Sequence, residues 1–174
     1  MSSLSIDVQT KDLKSKPGVE LDSEQKTIIG SVLDLFKGLP SKEKLSLWKD
    51  DAVFEDPLTD ARGRSQFEAQ WYGLAAAFSK IELQSHEVIS AGNPIVLDVK
   101  NLYTVKGINK EQLIQSKIEI YVGPTGKIEK VLDKWDGSIP DGPFASAFRR
   151  LNAKVVPGFV SVPKDAAEEA KKSS

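Results

Sequence analysis

The chain has 174 residues, 40% of them hydrophobic, enough for one globular domain with a sizeable core. It carries 24 basic and 25 acidic side chains, a balance that gives no long-range field for steering onto nucleic acid or anionic lipid. It has no cysteine and one histidine, which excludes disulfides, thiol nucleophiles and the usual zinc sites; no metal or organic cofactor is expected.

Residues 1–20 are polar, with Lys-Ser-Lys-Pro-Gly at 14–18, and read as a flexible arm. No apolar run of secretory or membrane-spanning length occurs, so a soluble, cytoplasmic protein without membrane partners is expected. Asp22 and Gln25 form a capping pair for a first helix, with Ile28, Ile29, Val32, Leu33 and Phe36 on one face. Ser41 caps a second, shorter helix that is expected to end at Trp48.

A brief β-type run, Ala52-Val53-Phe54, stops at Asp56-Pro57. Gly63 then opens a third helix, in which Phe67, Trp71, Leu74, Ala75 and Phe78 make one apolar stripe. Strands are predicted at about 81–90, 95–106, 112–122 and 127–136, separated by Gly- and Pro-containing breaks short enough to make the pairing antiparallel. In the second of these, Ile95, Leu97, Val99, Tyr103 and Val105 share the apolar face. Phe144, Phe148 and Leu151 suggest a last short helix packed on the body. The expected organisation is an arm (1–20), an α+β domain (21–140), a packed C-terminal extension (141–161) and a solvated tail (162–174).

Helices first and then one curled sheet suggest a small cone with a pocket inside. The sequence F-E-D-P-L at 54–58, the Gly63 helix and the closing strand G-K-I-E-K-V-L-D-K-W-D at 126–136 resemble the nuclear-transport-factor-2-like superfamily, in its SnoaL-like (polyketide-cyclase-like) branch. The resemblance spans roughly 24–137. It implies a strongly bent antiparallel sheet on N-terminal helices, a deep apolar pocket, and a homodimer through the sheet face. Members include isomerases, cyclases, dehydratases, epoxide hydrolases and non-catalytic binding modules, and the fold alone does not select among them. The strict Asp-Arg-Asp and Tyr-Asp-His sets of the known enzymes are absent.

Four side chains are candidates for chemistry. Asp56, at an apolar strand end, suits a desolvated general base, or else caps the following turn. Tyr103, with Asn101 on the same face, can donate hydrogen bonds to a carbonyl or enolate, or is a core tyrosine. Asp133 shares a face with Trp135 on the last strand, where the resemblance implies a pocket-facing polar group; the alternative is a surface pair with a lysine. His86 has the parity of Glu82, Gln84 and Ser90, which sets it outward or at a dimer interface, with a catalytic auxiliary role as the other reading. Trp48, Phe54, Trp71, Asn101 and Trp135 are candidates for a pocket wall. The function expected is binding of an apolar small molecule, the alternative being a cofactor-independent isomerase, cyclase or dehydratase with a pocket carboxylate as general base.

Overall fold

The structure, a computed structural model, describes residues 6–137 and 139–154 together with Pro163 and Glu169. Three helices, α1 (Ser23–Phe36), α2 (Lys42–Leu45) and α3 (Arg64–Ala77), lie against one curved, unclosed sheet. Its strands are β1 (Trp48–Asp56), β2 (Thr59–Arg62), β3 (Phe78–Ser90), β4 (Ile95–Val105), β5 (Glu111–Val122) and β6 (Ile128–Trp135), and α4 (Pro143–Lys154) follows. The spatial order is β2-β1-β6-β5-β4-β3. Strands β3 to β6 form an antiparallel meander, as their short breaks require. The β1–β6 pair is parallel, which departs from the all-antiparallel expectation.

Local chemistry accounts for the helix starts. Gln25 N–H donates to Asp22 Oδ1 at 2.8 Å while Asp22 N–H donates to Gln25 Oε1 at 3.1 Å, a complete capping box. Ser41 caps α2 through Lys44 N–H. Gly63, at φ 85°, lets the chain turn from β2 straight into α3, and its N–H bonds to Ala52 O at 2.8 Å. Arg64 then ties that helix start down, donating to Trp48 O at 2.6 Å and Leu45 O at 3.1 Å and lying over Phe67.

Two sequence expectations change here. Trp48 opens β1 rather than closing a helix, and Asp56-Pro57 ends β1 only to begin a two-residue turn into β2, with Asp56 opposite Thr59. A four-residue strand after an Asp-Pro stop leaves too little pattern to be seen.

Residues 6–20, read as a flexible arm, run as a strap across the fold. Val8 and Thr10 are buried, and the main chain of Lys14 and Lys16 bonds to Val88, adding a bridge at Ser15 to the free edge of β3. The strap is pinned by Asp34 of α1, whose carboxylate accepts from Gln9 N–H (2.8 Å), Thr10 N–H (3.0 Å) and Thr10 Oγ1 (2.6 Å). Lys44 Nζ lies 3.3 Å from Asp34 Oδ2, both side chains being buried. From the far end of the chain, Glu169 accepts from Tyr72 Oη and from Lys42 N–H. The rest of the expected tail, and residues 155–161 of the expected extension, lie outside the described residues.

Candidate active site

The site begins with the parallel register of β1 and β6. Phe54 is opposite Val131 and Glu55 opposite Leu132. Asp56 and Asp133 each follow by one residue the last pair of this register, and both line one void. Side chains at paired positions of neighbouring strands point to the same face, and the strands run about 4.8 Å apart. Phe54 and Val131 are buried beneath the helices, so the two carboxyls, two residues on, face the same side. Asp56 is held in its turn by Leu58 N–H, 2.7 Å from Oδ1. Asp133 accepts from Trp135 Nε1 at 2.8 Å through Oδ2, while its buried Oδ1 has no hydrogen-bond partner.

Both carboxyls line a small void with Phe36, Phe54, Trp71, Tyr103 and Phe148. Trp71 is its aromatic hub, 4.6 Å from Phe54 and 5.0 Å from Phe36 between ring centroids. The void measures about 10 Å³, room for about one water molecule. Among the described residues the space between Asp56 and Asp133 is therefore small, and α4 packs against its aromatic wall. Phe144 and Phe148 pack on Phe78, Tyr103 and Trp135 at centroid distances from 5.2 to 6.3 Å.

The electrostatics follow from burial. Asp133, 4% exposed, has its carboxyl pushed up to about 7. Desolvation is the main cause; the charge of Asp56 adds to it, and Trp135 and Ser116 pull it back. Asp56 keeps some solvent contact, yet the protein around its carboxyl raises it to about 6 against the bonds from Leu58 and Thr59. Tyr103 is raised well above the ordinary phenol range by burial and by both carboxylates, so it stays a hydrogen-bond donor. The charge on Asp56 disfavours ionisation of Asp133, so the titration of Asp133 depends on that of Asp56.

Of the candidates, the structure brings Asp56, Asp133, Tyr103, Phe54 and Trp71 together around the void. Trp135 holds Asp133 and stacks on α4. Asn101 is buried beside Tyr103 on β4, with its Oδ1 unpartnered. Trp48 lies behind the wall, 4.9 Å from Phe67 and 6.1 Å from Trp71. His86 is elsewhere. The β3–β4 register shifts between Leu83 and Ser85, which reverses the parity of the strand beyond it, so Val88 is buried and His86 sits opposite buried Val99 under the strap. Its Nε2 accepts from Lys14 N–H at 3.1 Å, which corrects the outward placement expected from simple alternation. Phe36 of α1, Gln70 and Leu74 of α3 and Phe148 of α4 also line the void and are not among the sequence candidates, although Phe36, Leu74 and Phe148 belong to helical stripes visible in the sequence. Among the described residues, no group of three or more His, Asp or Glu is placed to hold a metal ion.

A curved, unclosed sheet with helices packed against it is the nuclear-transport-factor-2-like fold. It is shared with a de novo designed curved-sheet protein, 18% identical (73% of this chain, 95% of that chain, TM-score 0.51). A nuclear-transport-factor-2-like protein of unknown function from Exiguobacterium sp. 255-15 is 14% identical (64% and 99%, TM-score 0.53). The epoxide hydrolase/cyclase-like enzyme SalBIII, of pyran ring formation in the polyether salinomycin, is 16% identical (64% and 89%, TM-score 0.52). The family model for SnoaL-like domains matches residues 41–131, just over half of the chain, and the chain belongs to that family. The match contains Asp56, Asn101 and Tyr103 and stops two residues short of Asp133. No curated protein matches the chain in sequence.

Proposed function

We propose that this SnoaL-like domain binds a small, largely apolar carbonyl compound and moves a proton on it with the Asp56–Asp133 pair, using no cofactor. The observation that carries the reading is that two carboxyls, raised to about 6 and about 7, share one aromatic-lined void with a buried phenol that is held well above its ordinary range. One ionised carboxylate takes the proton α to the carbonyl, and the enolate oxygen is stabilised by the O–H of the other carboxyl or of Tyr103. Returning the proton to a second carbon completes an isomerisation. His86 and Asn101 take no direct part, and Trp135 positions Asp133.

The test is exchange of solvent deuterium into the α-position of a cyclic ketone such as 2-decalone, followed by NMR. Wild-type protein should accelerate exchange over buffer, and Asp56→Asn and Asp133→Asn should each abolish the acceleration. Exchange equal to buffer across a panel of apolar ketones that bind would remove the catalytic reading and leave a binding domain.

A cytoplasmic location and a homodimer through the outer sheet face belong to the same reading. Leu102 and Leu113 are cross-strand partners on the face away from the helices, Leu132 and Tyr121 are half-buried on it, and Leu113 is 47% exposed. Sedimentation equilibrium of wild type against Leu113→Lys tests the dimer.

A further inference from the structure

The way α4 closes the cone carries an inference about both the ligand and its entry. Ligand pockets commonly enclose about 300–1,000 Å³, against the 10 Å³ or so left here. The space is taken by two rings of the chain itself. Phe144 and Phe148 lie 4.9 Å apart and cover Tyr103 and Trp135, and Phe148 forms the wall facing Asp56 and Asp133.

Among the described residues, the one main-chain bond that leaves residues 143–151 is Ser146 N–H to Gly142 O at 3.0 Å, the ordinary first turn of the helix. The segment is held on the sheet by apolar packing, the rings of Phe144 and Phe148 together with buried Ala145, Ala147 and Leu151. Such contacts are non-directional, and another apolar ring can replace them at little cost. The connection from β6 contains Gly137 at φ 76° and Gly142 at φ 94°, which give it two pivots. Beneath the rings, Asp133 Oδ1 and Trp71 Nε1 are buried without partners, and both residues line the void. The inner end of the site is thus polar and unsatisfied while the outer end is aromatic.

We propose that α4 is a displaceable plug whose Phe144 and Phe148 occupy the place of the ligand's rings, and that the ligand is a one- or two-ring apolar ketone whose enol hydroxyl, imitated by a naphthol, donates to Asp133 Oδ1. This rests on the Asp56–Asp133 site described above and specifies what enters it and how. The plug lowers apparent affinity by the fraction of molecules in which it is closed, so removing one ring raises affinity with no new contact.

The experiment uses the full chain and two probes of similar shape, 2-naphthol and 2-methylnaphthalene, titrated by calorimetry. Phe148→Ala is expected to bind 2-naphthol at least tenfold more tightly than wild type does. It should also prefer 2-naphthol over 2-methylnaphthalene, a preference lost in Phe148→Ala/Asp133→Leu. A folded Phe148→Ala protein that binds neither probe better than wild type overturns the plug. Equal binding of both probes overturns the assigned hydroxyl contact. Should Phe148→Ala fail to fold, amide hydrogen exchange on wild type decides: saturating 2-naphthol should accelerate exchange at residues 144–151 and leave α3 protected. Unchanged α4 protection under saturating probe overturns the proposal. Failure here with intact ketone deuterium exchange leaves the proton-transfer reading standing, and ring binding without deuterium exchange removes that reading while keeping the plug.

Discussion

Asp56 and Asp133 line one void because β1 and β6 run parallel: Glu55 is opposite Leu132, and each acid is the next residue of its strand, on the opposite face. A hairpin could not make this pairing; it needs the chain to pass through α3 and three strands of the meander before β6 returns alongside β1. Two acids on one face, beneath a covering of aromatic rings, cannot both ionise cheaply.

That relationship predicts an unusual pH dependence of stability. Asp56 and Asp133 sit at about 6 and about 7 in the fold, above the ordinary carboxylate value near 3.9 they take up when unfolded. The folded state therefore holds the protons more tightly. The contribution of these groups is complete below about pH 4 and is lost as pH rises through 6 and 7. His86 works the other way: burial, Lys14 and Lys37 lower it, so its contribution is present above about 6.5 and is lost in acid. Asp133→Asn keeps an acceptor for Trp135 and removes the charge. It should stabilise the protein by about 4 kcal/mol at pH 8 and by about 1–2 kcal/mol at pH 5. Thermal unfolding of both proteins from pH 5 to 8.5 checks this; a gap between them that does not change with pH would sink the argument.

Asp56 separates chemistry from turn geometry. Asparagine can still accept Leu58 N–H through its side-chain oxygen and removes the disfavoured charge, so Asp56→Asn should not destabilise the protein and should gain at most about 1–2 kcal/mol at pH 5. Deuterium exchange into a bound ketone should nonetheless be lost. Large destabilisation with activity retained would assign Asp56 to the turn alone.

What could be read from the sequence was what neighbours in the chain decide. The Asp22–Gln25 capping box, the Phe67, Trp71 and Leu74 part of the α3 stripe and the alternation of β4 involve residues a few positions apart and occur as expected, whereas Phe78, expected on the same helical stripe, opens β3. The family resemblance followed from the same local motifs. The Asp56–Asp133 pairing is set by parallel register across most of the domain, which no local pattern encodes. His86 was misplaced because a bulge in β3 reverses its parity, and a bulge leaves no mark in a short strand's composition. The strap escapes sequence reading because its apolar residues, Ile6, Val8, Leu13 and Val19, follow no strand or helix period, and its anchors are distant in sequence: Asp34 of α1, and Val88 and His86 of β3.

Gly30 tests how closely that strap lies. A Cβ built there would stand 2.5 Å from Thr10 O and 2.6 Å from Val8 Cγ1, so something must move. Gly30→Ala should cost about 1–3 kcal/mol as overpacking, despite the better helix propensity of alanine. The loss should appear as faster amide exchange at Gln9, Thr10 and Lys16. A variant as stable as wild type, with the strap still protected, would show that the contact relaxes freely.

The strap's anchor makes the strongest stability prediction. Asp34 is wholly buried and accepts three hydrogen bonds from Gln9 and Thr10 besides facing Lys44. Lys44 is also buried, and its remaining donors go to Gln9 Oε1 at 2.8 Å and Leu39 O at 2.7 Å. Removing the acid leaves a cation in the interior and two main-chain donors without acceptors. Asp34→Ala should therefore cost about 3–5 kcal/mol. Replacing both charges is a different matter, because the desolvation cost of each ion disappears with it. Asp34→Leu/Lys44→Met should recover part of the loss, the shortfall being the Gln9 and Thr10 amides, which still need an acceptor. Urea unfolding of the single and double variants measures both quantities. A single variant that loses less than about 1 kcal/mol would mean that water reaches Lys44 and that the strap is held by something other than Asp34.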